Sequence, residues 1–128
     1  MSVKERKWTM AMAATVFGTL AVLSLSMVPQ VAQAADAAQG RKVVTTKSLG
    51  NCAACHKFPD VESPGDIGPD LTEAMESYGP GDRATVRQWI WDAREFMPHT
   101  IMPPFGANKI LTPEQVDDVV EYLYSLKK

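Results

Sequence analysis

The chain has 128 residues, with 13 Lys and Arg against 15 Asp and Glu and a formal charge of −2. This length holds one small domain, and the mild acidic balance lacks the clustered Lys and Arg that nucleic-acid binding rewards. The only cysteines, Cys52 and Cys55, stand three positions apart. No disulfide framework can therefore be built across the fold, and a small domain with a thin core needs some other staple.

The first segment reads as an export signal. Lys4, Arg6 and Lys7 open it, with Glu5 offsetting one charge, and an uncharged, mostly apolar run follows from Trp8 to Val28. Pro29 ends the run, and Ala32-Gln33-Ala34 places small residues where a signal peptidase reads. Residues 1–34 are expected to be a signal peptide, cleaved after Ala34, with residues 35–128 as the domain. The first segment carries +2, so the domain carries −4. The run of 21 residues is also long enough to span a bilayer as an uncleaved anchor, although Thr9, Thr15, Thr19, Ser24 and Ser26 dilute it. Either way the domain is expected outside the cytoplasm, in the periplasm, with no membrane association once the signal is removed.

A first helix is expected from Asp36, which can cap it, to Ser48, with Val43 and Val44 on its apolar side and Gly50 stopping it. From Phe58 to Leu71, Pro59, Pro64, Gly65, Gly68 and Pro69 impose a loop. A short helix over Leu71 to Tyr78 ends at Gly79-Pro80-Gly81. Asp82 to Phe96 reads as a helix whose buried stripe is Val86, Trp89, Ile90 and Ala93, with Trp91 off that stripe. Pro98 closes it, and Met102-Pro103-Pro104-Phe105-Gly106 is an extended loop. The last helix has Thr112 as N-cap, Pro113 at the first helical position and Gln115 completing a capping box. Its apolar stripe is Val116, Val119, Val120, Leu123 and Leu126. No segment alternates as a strand, so the fold class is all-α.

Cys52-Ala53-Ala54-Cys55-His56 has the C-x-x-C-H spacing of covalent haem attachment. A short turn brings two thiols to two vinyl groups on one porphyrin edge, and the next residue falls under the iron, where an imidazole can bind it. A thioredoxin-like C-x-x-C expects a βαβ context. Zinc needs four ligands, and the one other histidine, His99, sits at no zinc spacing. A plain disulfide remains possible in an oxidising compartment but leaves His56 unexplained. For the sixth iron ligand the candidates are Met75, Met97, His99 and Met102. Met102 is preferred, because Pro103 and Pro104 stiffen its segment. Met75 falls at an apolar helix position suited to core filling, Met97 is expected to pack, and His99 is expected to be solvated. A Met/His pair raises the reduction potential relative to two histidines. The carbonyl of Pro69 is the expected acceptor for the second ring N–H of His56.

These elements resemble a class I c-type cytochrome: crossed N- and C-terminal helices around one covalent haem c. In that family a glycine lies at the helix crossing, which implies Gly40 facing Tyr122 or Leu123. Gly50-Asn51 before the motif, Gly65-Asp66-Ile67-Gly68-Pro69, Met102-Pro103-Pro104-Phe105-Gly106, Ile110-Leu111-Thr112 and Asp118-Val119-Val120-Glu121-Tyr122-Leu123-Tyr124-Ser125-Leu126 together look like SoxX, the monohaem subunit of SoxAX cytochromes. The resemblance implies a SoxA-like partner and an L-cysteine S-thiosulfotransferase activity of the complex. Thiosulfate is joined oxidatively to a cysteine of a SoxYZ-like carrier, with the bond-forming chemistry in the partner. This chain would relay the electrons to a small soluble acceptor. With both cysteines on haem, it cannot itself carry a thiosulfate.

Two other functions are compatible with the residues: a free-standing electron carrier for another redox enzyme, and a gas-sensing module in which Met102 is displaced. An obligate subunit should expose an apolar patch, for which Trp91 and Phe105 are the candidates; packing of Trp91 on its own loop is the equal alternative.

Overall fold

The computed structural model describes residues 34–127; the expected export segment lies outside the described residues, apart from Ala34. Four helices make up the domain: α1 (Ala37–Thr45), α2 (Leu71–Glu76), α3 (Arg83–Asp92) and α4 (Pro113–Ser125). Among the described residues there is no strand, and no helix is long and apolar enough to cross a membrane.

Asp36 starts α1 by accepting the amide of Ala38 at 2.7 Å. The helix stops at Thr45, earlier than the apolar pattern predicts. Thr46 is already extended (φ −89°, ψ 122°), and the Val43 carbonyl is taken by the Asn51 amide at 3.2 Å instead of continuing the helix. At the other end of the domain the local signals for α4 are met in full. The Gln115 amide donates to Thr112 Oγ1 at 3.2 Å, and the Thr112 amide donates to Gln115 Oε1 at 2.9 Å.

α1 and α4 cross in direct backbone contact. A Cβ on Gly40 would collide with the Asp118 carbonyl and come within 2.8 Å of Tyr122 Cβ. The Asp36 amide also donates to Asp118 Oδ1 at 2.8 Å. The crossing buries Val43 and Val44 against Val116, Val119, Val120 and Leu123. α3 adds Val86 and Ile90, and Met75 enters from α2, only 2% exposed.

The helix expected from Asp82 to Phe96 is broken at Asp92. Its backbone is extended (φ −155°, ψ 93°) and its carboxylate accepts the Arg94 amide at 3.1 Å, the local competition by which Asp ends helices. A 3₁₀ turn, Ala93–Glu95, finishes the segment. Trp89 is only half-buried and stacks on Phe96, with ring centroids 4.4 Å apart. Met97, expected to pack, is 56% exposed, because the break carries it away from the core.

A polar cluster holds the loop that follows the cysteines. Asp60 accepts from Tyr122 Oη at 2.5 Å and from Arg41 Nε at 2.5 Å, and the Asp60 carbonyl accepts from Arg41 Nη2 at 3.1 Å. α1, α4 and the loop are thereby tied at one point, and Phe58 of the same loop stacks on the Tyr122 ring at 5.9 Å. Desolvation pushes the Asp60 carboxyl up, but the bonds from Tyr122 and Arg41 outweigh it, so its pKa lies below the ordinary value.

Two stability measurements follow. Gly40→Ala should destabilise by about 3 kcal/mol, as overpacking against backbone does, and lower Tm by roughly 10 °C or more. Gly81→Ala, whose Cβ meets nothing within 4 Å, serves as the control in the same thermal melt; equal Tm values for the two would show that the crossing tolerates a side chain. For Asp60→Asn the deficit depends on pH. A depressed carboxyl stabilises the fold above its unfolded pKa, and this contribution disappears as pH falls through the folded value. The Tm gap between wild type and Asp60→Asn should therefore be full at pH 7 and close toward pH 3; a gap independent of pH would contradict the ion-pair account.

Candidate functional site

The attachment turn begins with Asn51 in the left-handed region (φ 47°, ψ 37°), which Asn tolerates better than most side chains. Gly50 before it leaves room for Cys52 Sγ, which an added Cβ would approach to 3.2 Å. Cys52–Ala54 then forms a 3₁₀ turn, with the amides of Cys55 and His56 both donating to the Cys52 carbonyl at 3.1 and 2.9 Å. At roughly three residues per turn, the first and fourth residues stand above one another. This puts Cys52 and Cys55 on one side, with His56 next. Both thiols are free. Desolvation pushes the Cys52 thiol up to about 12, the opposite of the depressed thiol of a disulfide-exchange site.

The segment from Gly65 to Leu71 lies directly on this turn. Gly65 donates to the Ala53 carbonyl at 2.8 Å, Gly68 to the Cys55 carbonyl at 2.8 Å and Leu71 to the Lys57 carbonyl at 3.2 Å. Both glycines are required by contact. A Cβ on Gly65 would collide with the Ala54 carbonyl and reach 2.9 Å from Cys55 Cα. One on Gly68 would enter the His56 ring, 2.6 Å from Nδ1. That close approach sets the Pro69 carbonyl 3.0 Å from His56 Nδ1. A carbonyl only accepts, so Nδ1 carries the proton and Nε2 keeps its lone pair.

Met102 belongs to a separate loop between α3 and α4. It is half-buried, its amide donates to Thr100 Oγ1 at 3.1 Å, and its side chain packs on the same apolar cluster as Cys52. The other ligand candidates are placed differently: Met75 fills the core, while Met97 and His99 are exposed. The loop after Met102 is anchored by Phe105, 7% exposed, whose carbonyl accepts the amides of Ile110 and Leu111 at 2.9 and 3.0 Å.

Phe105 is therefore not part of an exposed patch. Trp91 is not free either: it is half-buried, with Gly106 against its ring and the Arg87 guanidinium 5.0 Å from its centroid. The large exposed apolar side chains are Ile67, Phe96, Met97, Ile101 and Ile110. Sequence reasoning left the packing of Trp91 open without naming Gly106, and missed the collision that makes Gly68 necessary. The signal available for both was a glycine beside a functional residue.

These groups fit a haem. Two uncrosslinked thiols lie on one side of a turn, an imidazole beside them has a fixed tautomer and a free Nε2, and a thioether borders the same apolar core. Among the described residues no three His, Cys, Asp or Glu side chains converge to hold a bare metal ion.

Comparison with known proteins agrees with this chemistry. Residues 37–127 match the Cytochrome c family. The chain is 36% identical over 76 residues to an uncharacterized lipoprotein of Aquifex aeolicus and 40% identical over 77 residues to the Cbb3-type cytochrome c oxidase subunit CcoP of Cereibacter sphaeroides. Each match covers 59% of this chain but only 36% and 24% of those longer proteins. A chain in the crystal structure of SoxXA from P. pantotrophus superposes with a TM-score of 0.65 at 31% identity, over 76% of this chain and 85% of that one. The helical architecture is the all-α class I cytochrome c fold. The chain belongs to the cytochrome c family, as a SoxX-like monohaem cytochrome with covalently bound haem c.

Proposed function

We propose that this chain is the electron-relay subunit of an exported SoxAX-type complex, which joins thiosulfate oxidatively to a cysteine on a carrier protein. The observation that carries this reading is the likeness to a SoxXA chain over most of both chains. The residues support it: with Cys52 and Cys55 committed to haem, no thiol remains to bind sulfur. The partner would be a SoxA-like cytochrome, the carrier SoxYZ-like and the acceptor a small soluble protein. Residues 1–34 would serve as the signal that brings the domain to the periplasm. A second reading, a carrier for another redox enzyme, draws support from the likeness to an oxidase subunit.

In this function Cys52 and Cys55 would hold the haem as thioethers, and His56 Nε2 and the Met102 sulfur would be the protein's donors to its iron. Bound there, haem would supply a one-electron store. The Pro69 carbonyl fixes the imidazole through Nδ1–H, so the ring does not rotate when the charge beside it changes. The Met102 thioether, a neutral soft donor, favours the reduced state. Conjugation of a thiol with thiosulfate releases two electrons, which a one-electron store would pass on singly.

The reading is tested by capturing tagged, exported holoprotein from a periplasmic extract and then assaying haem reduction. Co-purification of a second cytochrome, with reduction that requires both thiosulfate and the carrier protein, is the expected result; absence of both the partner and the thiosulfate response rejects it. Met102→Ala should abolish the sulfur-to-iron charge-transfer absorption and lower the potential by roughly 120 mV, a hundredfold loss of preference for ferrous iron. An unchanged spectrum would remove Met102 from the iron. Gly68→Ala should displace the Pro69 carbonyl and weaken imidazole ligation by about tenfold. Acid-induced loss of the histidine ligand, followed optically, would then begin roughly one pH unit higher than in wild type; an unmoved transition would show that the carbonyl does not hold the ring.

A further inference from the structure

We propose that Trp91 is a positioning residue for the axial methionine: its carbonyl and its indole together set how firmly the Met102 segment is held against the haem. This rests on the reading of Met102 as an iron ligand and concerns what keeps it there.

The Trp91 carbonyl accepts two amides of the Met102 loop, Gly106 and Ala107, each at 3.1 Å. Its indole lies so close to Gly106 that an added Cβ would come within 2.8 Å of Cζ3 and closer still to Cε3 and Cδ2. The ring is held in turn. Arg87, one helical turn earlier on α3, places its guanidinium 5.0 Å from the ring centroid, within cation–π range. Arg87 Nε is itself fixed at 2.6 Å on Asp117 Oδ1 of α4. A line of contacts thus runs from α4 through Arg87 and Trp91 to Gly106, four residues beyond Met102.

What lies between Gly106 and Met102 makes that line effective. Pro103 and Pro104 have fixed φ, and Phe105 is buried. A loop this stiff passes a displacement at Gly106 on to Met102 instead of absorbing it. Trp91 lies off the stripe of Val86 and Ile90, and its half-buried ring packs at the edge of the same core.

An added ligand such as imidazole binds ferric iron only when the thioether is off. Its apparent affinity therefore scales with the detached fraction. Ferric holoprotein of wild type, Trp91→Leu, Trp91→Phe, Arg87→Ala and Met102→Ala is titrated with imidazole, and helix unfolding of each is recorded by circular dichroism. Met102→Ala should bind most tightly and set the ceiling. Trp91→Leu should bind about tenfold more tightly than wild type, with Trp91→Phe and Arg87→Ala between them. Each should lose the sulfur-to-iron charge-transfer absorption below the temperature at which its helices melt. The inference is overturned if Met102→Ala binds tightly while the Trp91 variants bind as wild type does. It is also overturned if absorption loss and helix melting shift together in every variant, the pattern of a merely structural residue. If Met102→Ala binds no better than wild type, the ligand reading itself fails and the inference with it. Should Trp91→Leu not fold, Trp91→Phe and Arg87→Ala decide the matter by the same criteria.

Discussion

The site depends on two segments of backbone lying closer together than side chains allow. The stretch from Cys52 to Lys57 and the Gly65–Leu71 segment are joined by amide–carbonyl bonds at 2.8 to 3.2 Å, and this distance is open only because Gly65 and Gly68 have no Cβ. The bond from His56 Nδ1 to the Pro69 carbonyl follows from that contact. A histidine on a free loop would need its ring ordered by each new partner, at an entropic cost. Here the backbone carbonyl orders it, and the lone pair on Nε2 is left pointing away from its own support.

The rest of the domain secures that pair of segments. The contact of α1 with α4 at Gly40 is the same device on a larger scale, backbone against backbone. α1 runs directly into the attachment turn through the bond from Asn51 to Val43. The Asp60 carboxylate ties the far side of the turn to both helices through Arg41 and Tyr122. These bonds are partly exposed, so each is individually modest. Their value lies in joining three segments at one carboxylate, so that the loop cannot move without breaking several bonds at once.

What the sequence revealed divides by distance along the chain. The haem motif spans five residues, and the capping box of α4 spans four. In both the relevant partners are neighbours, so spacing alone carries the information. α1 was expected to reach Ser48 because its apolar pattern does not register the amide of Asn51 competing for the Val43 carbonyl. The helix through Phe96 was expected whole because periodicity gives no weight to the Asp92 side chain bonding to Arg94. That one misreading displaced Met97 from packed to exposed. Phe105 and Trp91 were candidates for a partner-facing patch, with packing on its own loop the equal alternative for Trp91; the fold brings Gly106, Arg87 and the core to them. Glycines show the same limit: Gly40 was legible only through resemblance, and the collision of Gly68 with His56 joins positions twelve apart in a loop without period.

The two sides of the site are built on different physical terms, and this separates what can be tuned from what cannot. On the histidine side a carbon added to Gly65 would meet the Ala54 carbonyl and one added to Gly68 would meet the His56 ring, so neither has anywhere to go. On the methionine side a stiff, proline-bounded loop is held by the Trp91 carbonyl and by an indole, a guanidinium and a carboxylate, and those side chains can be exchanged in small steps. Close-packed backbone yields abruptly, whereas a cation–π contact worth about 1 kcal/mol yields gradually. The proposed relay must match its potential to donor and acceptor while keeping its cofactor attached. With Met102 as the proposed iron ligand, placing the adjustable contacts on its side, away from the cysteines and the histidine, would let the potential change without loosening the covalent anchor.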